Sequence, residues 1–557
     1  MSGINAILRV SSITKQDVEK LTRKDQPSVW HGEMCAMSST SSVLLSKDQS
    51  LVMVCAGTIY NATYSDILDA YQQQGAACLD GLRGTFAIFI YDTRKRQLFV
   101  ARDRVGEMPV YYTQIPGGLV VSSDLKSILQ EYIPNPQINI TGLLEPLRYI
   151  APVDMENTWV HQIKRLQPGS YLEFDENNFN ISQYWKRTRH PKADCTREEA
   201  LAHTLELMQE SVDVMMQGDK PIAIMLSGGV DSSAVAALAK RAGHEVHAFT
   251  IGFGGKAAYD ERDIARRLAK EKGFEYNEIM LNPEDYEPAF NELMHYVDEP
   301  ITDSAVIAQW MLYKKIHGMG YEVVLSGMGG DELFFNYAGL NMQAKARKLH
   351  HQFEQICPID SFEKKKQCYR IMRAHWKALI MPQAWHMTNE SSYVSWYNEP
   401  FKRFIADAKF VYRGREYKLE DYTPHLRYPE CTIGSEIEQA YDDAIDRVMV
   451  GAYIYLGGIV SAANNLETRC PFLDYKLVDY VLHLPTQMVG EGKSFMKEAL
   501  KDILPDYILN GKKRGFTPTT NYPQMVADKH NYQYIHTSAP FYPAAVADAM
   551  LTNLLSK

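Results

Sequence analysis

Residues Pro221–Ser233 read PIAIMLSGGVDSS. The apolar run PIAIM is a buried-strand pattern, the pair Gly228 and Gly229 forms a turn, and the next residues, AVAALAKRAG, have the composition of a helix expected to begin near Ser232. Strand, glycine turn and helix start therefore coincide. Such a turn aims backbone N–H groups at the positive end of a helix, where a phosphate can approach closely. Ser227, Ser232 and Ser233 add hydroxyl donors. The glycine pair alone would suit Asp231 or Ser232 as a plain helix cap, but the full SGGVDSS string in this context favours the phosphate loop. The loop lacks a GK[ST] ending, so it is not the type that handles a transferred γ-phosphate, and another cleavage of ATP is implied.

Outward from this loop, EVHAFTIGF, DERDIARRLAKEKG, YNEIML and EVVLSG continue an alternation of strands and helices. That alternation predicts an α/β unit over 198–557 with a mainly parallel sheet, whose ligands bind beyond the carboxyl ends of the strands. Residues 340 to 455 read as a helical region. Before the loop the pattern is different. SLVMVCAGTIY, TFAIFIYD, QLFVARD and GLVVSS are short strand-like runs between turns, which predicts a stacked-sheet domain over 1–185. A polar linker, 186–197, ends where a helix opens at Thr196.

The chain has 557 residues, 45% hydrophobic and 23% charged, which suits a folded protein of two domains. Its net charge of -9 disfavours non-specific binding to nucleic acid or to anionic membranes and favours small-molecule chemistry. No apolar run of about 18 residues and no secretory leader is evident, so a cytoplasmic setting is expected. The eight cysteines lack the CxxC spacing of zinc or redox sites and read as reduced thiols.

The full string SGGVDSS resembles the PP-loop ATP pyrophosphatases. Downstream, VVLSGMGGD (Val323–Asp331), followed by Glu332 and Leu333, resembles the second signature of the asparagine synthetase superfamily, and DEPITDSAV (Asp298–Val306) the segment before it. NLETRCPFLD (Asn465–Asp474) is similar to that family's EARVPFLD, and KKRGF (Lys512–Phe516) to its closing basic motif. The resemblance implies that ATP is split between its α and β phosphates, a substrate carboxylate becomes an acyl-adenylate, and an amine displaces AMP. It places Leu226, Ser227, Gly228, Gly229, Asp231, Ser232 and Ser233, with Gly327 and Gly329, around the phosphates. Main-chain groups near Phe249 and Ile251 would receive adenine, and Lys513 and Arg514 pyrophosphate. Asp231 and Asp331 would hold Mg2+, which suits hard oxygen ligands. Lys493, in GEGKSFMKEAL, would stabilise the oxyanion of the tetrahedral intermediate.

Phe86–Tyr112 and Val120–Leu129 resemble the family's glutaminase domain, an N-terminal-nucleophile sandwich. Its chemistry is expected to be lost. Ser2 stands where the family has its nucleophilic cysteine, and Ala56, Gly57, Thr58, Ile59, Tyr60 and Asn61 replace NGEIYN, which carries the oxyanion hole and a glutamine anchor. The amine must then come from elsewhere: free ammonia, a partner, or a substrate that carries it, as in β-lactam synthetases and lasso-peptide cyclases of this superfamily. Met328 occupies the position of the asparagine formers' glutamate and the β-lactam formers' tyrosine, and a thioether does neither acid nor base work. Condensation of a small-molecule or peptide carboxylate with an amine is the leading expectation, intramolecular cyclisation the second, and a nucleotide-binding scaffold the alternative of another class. The oligomeric state stays open, a homodimer included.

Overall fold

In a computed structural model of the chain, TFAIFIYD forms part of a strand that is buried on both faces, which is why its sequence does not alternate. Ala87, Phe89 and Tyr91 enter one apolar cluster and Phe86, Ile88 and Ile90 another. The structure describes residues 3–21, 28–149, 152, 154–187, 194–253, 261–300, 303, 305–336, 352, 361, 363–370, 398–425, 438, 441, 445, 455–511, 522–539 and 541–555. Ser2, Lys512, Lys513 and Arg514, and most of 340–455, lie outside the described residues.

Two six-stranded antiparallel sheets make the N-terminal unit. One runs β10 (Lys164–Arg165), β8 (Tyr111–Ile115), β9 (Gly118–Ser122), β1 (Ile4–Arg9), β3 (Cys35–Ser39), β2 (Ser28–His31). The other runs β12 (Phe179–Gln183), β11 (Ser170–Phe174), β7 (Gln97–Arg102), β6 (Gly84–Asp92), β5 (Leu51–Ile59), β4 (Leu44–Leu45). Ile4, Ala6 and Leu8 of β1 meet Val52, Val54 and Ala56 of β5 between the sheets. The outer face of the second sheet is covered by the helix Tyr64–Gln74, through Ile67, Leu68 and Tyr71.

The C-terminal unit opens with the helix Arg197–Met215. Thr196 caps it, accepting from Glu199 N–H while the Glu199 carboxylate accepts from Thr196 N–H. Its sheet is parallel throughout, in the order β15 (Glu275–Leu281), β14 (His247–Phe253), β13 (Ile222–Met225), β16 (Val323–Leu325), β19 (Glu467–Arg469). After β13 the chain adds strands to one side, then returns to add β16 and β19 on the other. The order therefore reverses between β13 and β16, and the loops leaving these two neighbours flank one crevice.

Two expectations need correction. The helix after the glycine turn begins at Val230, not near Ser232, because extended Gly229 serves as its cap without any side-chain bond. The helical expectation for 340–455 also misses a hairpin of β17 (Lys409–Tyr412) and β18 (Arg415–Lys418), which joins β20 (Ile535–His536). Its turn, Arg413-Gly414, has positive φ at both residues, a geometry usually announced by Asn-Gly rather than Arg-Gly. Among the described residues, no helix is long and apolar enough to cross a membrane, and Cys35, Cys55, Cys78, Cys195, Cys368 and Cys470 are free.

The two units share buried polar contacts. Arg83 of the first, 4% exposed, donates from Nε to Asp474 Oδ2 at 2.5 Å and from Nη1 to Glu210 Oε1 at 2.6 Å. Arg165 donates to both oxygens of Glu299 at 2.6 and 2.5 Å, while Trp159 Nε1 donates to the Asp298 carbonyl at 2.7 Å. The DEP stretch is thus an interdomain joint.

Candidate active site

The first loop holds its shape through its own serines. Ser227 N–H donates to Ser232 Oγ at 3.1 Å, the two hydroxyls lie 3.0 Å apart, and Gly229 N–H donates to Ser227 Oγ at 3.2 Å. Gly228 has φ +81, which a side chain rarely adopts, and an added Cβ would press on Ile264 at 3.0 Å. The first N–H groups of the helix Val230–Arg241 have no intrahelical acceptors and aim out of its positive end.

The second loop packs directly onto this helix start. A Cβ on Gly327 would lie 2.7 Å from Ser232 N, and one on Gly330 2.4 Å from Asp231 Oδ1. Only glycine lets the loops approach so closely. Gly329, at φ +94, sets the turn instead, and a Cβ there would lie 2.4 Å from Leu473 Cδ2. Gly330 was not among the residues singled out from the sequence, although it stands in the same MGGD string.

Lys493 joins the loops. Its ammonium pairs with Asp231 Oδ2 and, at 2.6 Å, with Asp331 Oδ1, and the residue is only 4% exposed. Burial alone would lower its pKa, but the fields of the two aspartates outweigh that, so the net shift is upward and the group is a fixed cation. Its backbone is pinned as well. Lys493 N–H donates to Phe334 O at 3.0 Å and Gly492 N–H to Phe335 O at 2.9 Å, with Lys493 at φ 60 just before the helix Ser494–Ala499. A solvated surface lysine would show none of this. Asn336, also missed in the sequence, donates from Nδ2 to Asp331 Oδ1 at 2.6 Å.

Asp231 and Asp331 thus face a common cation position. Among the described residues no group of three or more His, Cys, Asp or Glu side chains could hold a metal. Two carboxylates fit Mg2+ that keeps waters and takes its remaining ligands from nucleotide phosphates. Other nominated residues lie deeper. Leu226 is 1% exposed, and Phe249 is fully buried with its carbonyl accepting from Leu226 N–H at 2.9 Å. Ser233 is fully buried too, its hydroxyl without a partner among the described residues. These three shape the strand ends and the helix rather than present side chains, and Ile251 is the half-buried position farther along β14. Lys513 and Arg514 fall outside the described residues.

The profile of the asparagine synthase family matches residues 203–551. The chain belongs to the asparagine synthase family. A glutamine amidotransferase domain profile matches residues 62–185. Within the asparagine synthase family, the chain is 27% identical to glutamine-hydrolysing asparagine synthetase 1 of Bacillus subtilis strain 168, over 81% of this chain and 70% of that protein. It is 25% identical to the amidase chyE of Penicillium rubens, over 81% of this chain and 72% of that protein. The family is one of ATP-dependent carbon–nitrogen ligases, and the two apposed loops are where this member carries the strings SGGVDSS and SGMGGDE.

At the other end of the interdomain region, Ala56, Gly57, Thr58 and Ile59, which stand where the resemblance places NGEI, lie on β5. Ala56 is 2% exposed and offers no amide, while Gly57 at φ +97 is pressed against Thr85 O. The neighbouring Cys55 is a thiol pushed up to about 12 by burial, which outweighs its hydrogen bond with Tyr64, so it is no substitute thiolate. Met328 lies between the units, against the cluster of Ile445, Cys470 and Leu473 with Val105 and Met155.

Proposed function

We propose that this protein is an AMP-forming amide ligase that adenylates a substrate carboxylate and joins it to an amine that its own N-terminal domain does not make. The observation that carries this reading is the buried Lys493 ammonium bridging Asp231 and Asp331, each from a different glycine-rich segment. Mg2+ on the two aspartates would draw charge from the departing pyrophosphate. Lys493, freed from them, would sit as a preorganised cation for the oxyanion formed when the amine attacks; removing one such group elsewhere costs about 100- to 1000-fold in rate.

Three observations support a silent glutaminase domain: Ser2 at the nucleophile position, Ala56 without an amide, and a protonated Cys55. Met328, packed in an apolar cluster, supplies no acid or base beside the second loop, which argues against the asparagine-forming and β-lactam-forming chemistries. A small-molecule or peptide acid and an organic amine in a biosynthetic pathway fit best.

The test is to incubate the full chain with ATP, Mg2+ and fractionated metabolite extract, without glutamine, and to follow AMP, pyrophosphate and new condensed masses. AMP that depends on one fraction and vanishes in Asp231→Ala supports the ligase. ATP binding without AMP in every fraction would replace it with a nucleotide-binding scaffold.

A further inference from the structure

A cavity of about 600 Å³ runs between the two units, from Gly57 and Thr58 on β5 to Met328 and Gly457 at the second loop. Its charge is one-sided. Glu107, Asp124, Asp298, Glu322 and Glu467 line it, and Lys220 is its single basic lining residue among those described. That lysine is already shared, 3.9 Å from Glu322 and 3.8 Å from Glu467. Glu467 is further engaged by Arg469 at 2.7 Å.

Glu107 stands apart from the other acids. It sits in the strand-to-strand connection after β7, half-buried on the cavity wall, and among the described residues its side chain makes no hydrogen bond or ion pair, only its backbone N–H donating to Asp103 Oδ1 at 2.9 Å. The groups that act on it are all acidic. Burial first, then Asp103, Glu467 and Asp474, drive its pKa well above the usual carboxylate range. A carboxyl crowded by other carboxylates is held at a cost unless a cation joins them.

We infer that this cavity is the amine-substrate chamber and that Glu107 receives the ammonium group of a primary organic amine. The inference rests on the ligase reading for its purpose, though not for its geometry. A metal ion is disfavoured because the described residues offer no cluster of three ligating groups here. An anionic or carboxylate-rich ligand would meet a lining in which acids outnumber the single lysine. Ammonium itself would leave most of the space unused, since a water-sized particle takes about 30 Å³ and cavities of this size suit whole small molecules. The apolar part of the lining, Met108, Pro109, Ile459 and Leu466, would cover a carbon skeleton. One end of the chamber meets Met328, three residues before Asp331, which puts its occupant beside the loop where an acyl-adenylate would form.

The experiment uses n-butylammonium, ammonium and n-butanol as probes, titrated calorimetrically into the full chain without ATP. The expected result is that n-butylammonium binds at least ten-fold more tightly than ammonium, that n-butanol does not bind, and that Glu107→Gln weakens n-butylammonium at least ten-fold. A second variant, Gly457→Leu, guards against misfolding. Its Cβ would have only Met328 Cε nearby, at 3.9 Å, and leucine is a better helix former than glycine. It should block n-butylammonium while leaving ammonium binding unchanged. Equal affinity in wild type and Glu107→Gln, or ammonium binding as tightly as the organic amine, would overturn the chamber. AMP formation reports on the ligase reading separately: binding without AMP removes the ligase and keeps the chamber, and AMP without amine binding does the reverse.

Discussion

Replacing Lys493 by methionine keeps the unbranched stem of the side chain and removes the cation between Asp231 and Asp331. Both carboxylate oxygens contact one nitrogen, so they lie at most about 5 Å apart, and at an effective dielectric constant of about 20 their repulsion is about 3 kcal/mol. The aspartate side chains are 19% and 23% exposed, so solvent trims this figure, and a loss of about 2–3 kcal/mol is expected in metal-free buffer. Excess Mg2+ should restore most of it in the variant by taking the lysine's place. In wild type Mg2+ must first displace Lys493, so its stabilising effect should be smaller. Thermal unfolding of both proteins with EDTA and with Mg2+ measures all four states. If Lys493→Met unfolds like wild type in EDTA, or if Mg2+ raises both by the same amount, the shared cation position is wrong.

Gly330→Ala should leave the fold intact yet weaken Mg-ATP binding at least ten-fold in a nucleotide titration, because the new Cβ would lie 2.4 Å from Asp231 Oδ1. Arg83→Met strips the cation from Asp474, whose side chain is 1% exposed, and should cost about 3–5 kcal/mol, seen as faster limited proteolysis between the units. Glu107→Gln should change how stability depends on pH. A carboxyl whose folded pKa lies above its unfolded value of about 4.3 binds more protons in the native state, so wild-type stability falls as pH climbs from the unfolded pKa to the folded one. The variant lacks that term, so its advantage over wild type in unfolding temperature should be near zero at about pH 4 and grow with pH; a pH-independent gap contradicts the buried acid. Iodoacetamide at about pH 8 should leave Cys55 of the folded chain unlabelled, as read by peptide mass.

Much of the synthetase half is legible in the chain because its signals are local. The strand PIAIM, the paired glycines and the following helix occupy consecutive residues, and a parallel sheet then follows from the alternation of elements. Lys493 is different: its nomination came from resemblance, and nothing within GEGKSFMKEAL announces burial or a pair of carboxylate partners more than a hundred residues away. Gly330 is hidden for the opposite reason. It looks like its neighbour Gly329, and only the clearance to Asp231 shows that one serves the turn and the other the approach of two loops. The hairpin at Lys409–Lys418 is obscured by charged strand ends and an Arg-Gly turn. Glu107 carries no pattern at all, since its meaning depends on Asp103 in its own connection and on Glu467 and Asp474 from the other unit.

The joint between the units has a consequence for how such a chain can change over generations. Arg83, Arg165 and Trp159 of the N-terminal unit satisfy Asp474, Glu299 and the Asp298 carbonyl, groups that would otherwise be stranded in the synthetase half. The N-terminal half therefore works as a permanent splint. Deleting its gene segment would leave bare acids on the remaining half and favour clumping over a smaller enzyme. Substitution along this seam is held back whatever reaction the N-terminal half carries out, so such a domain is kept for its contacts even if its chemistry changes.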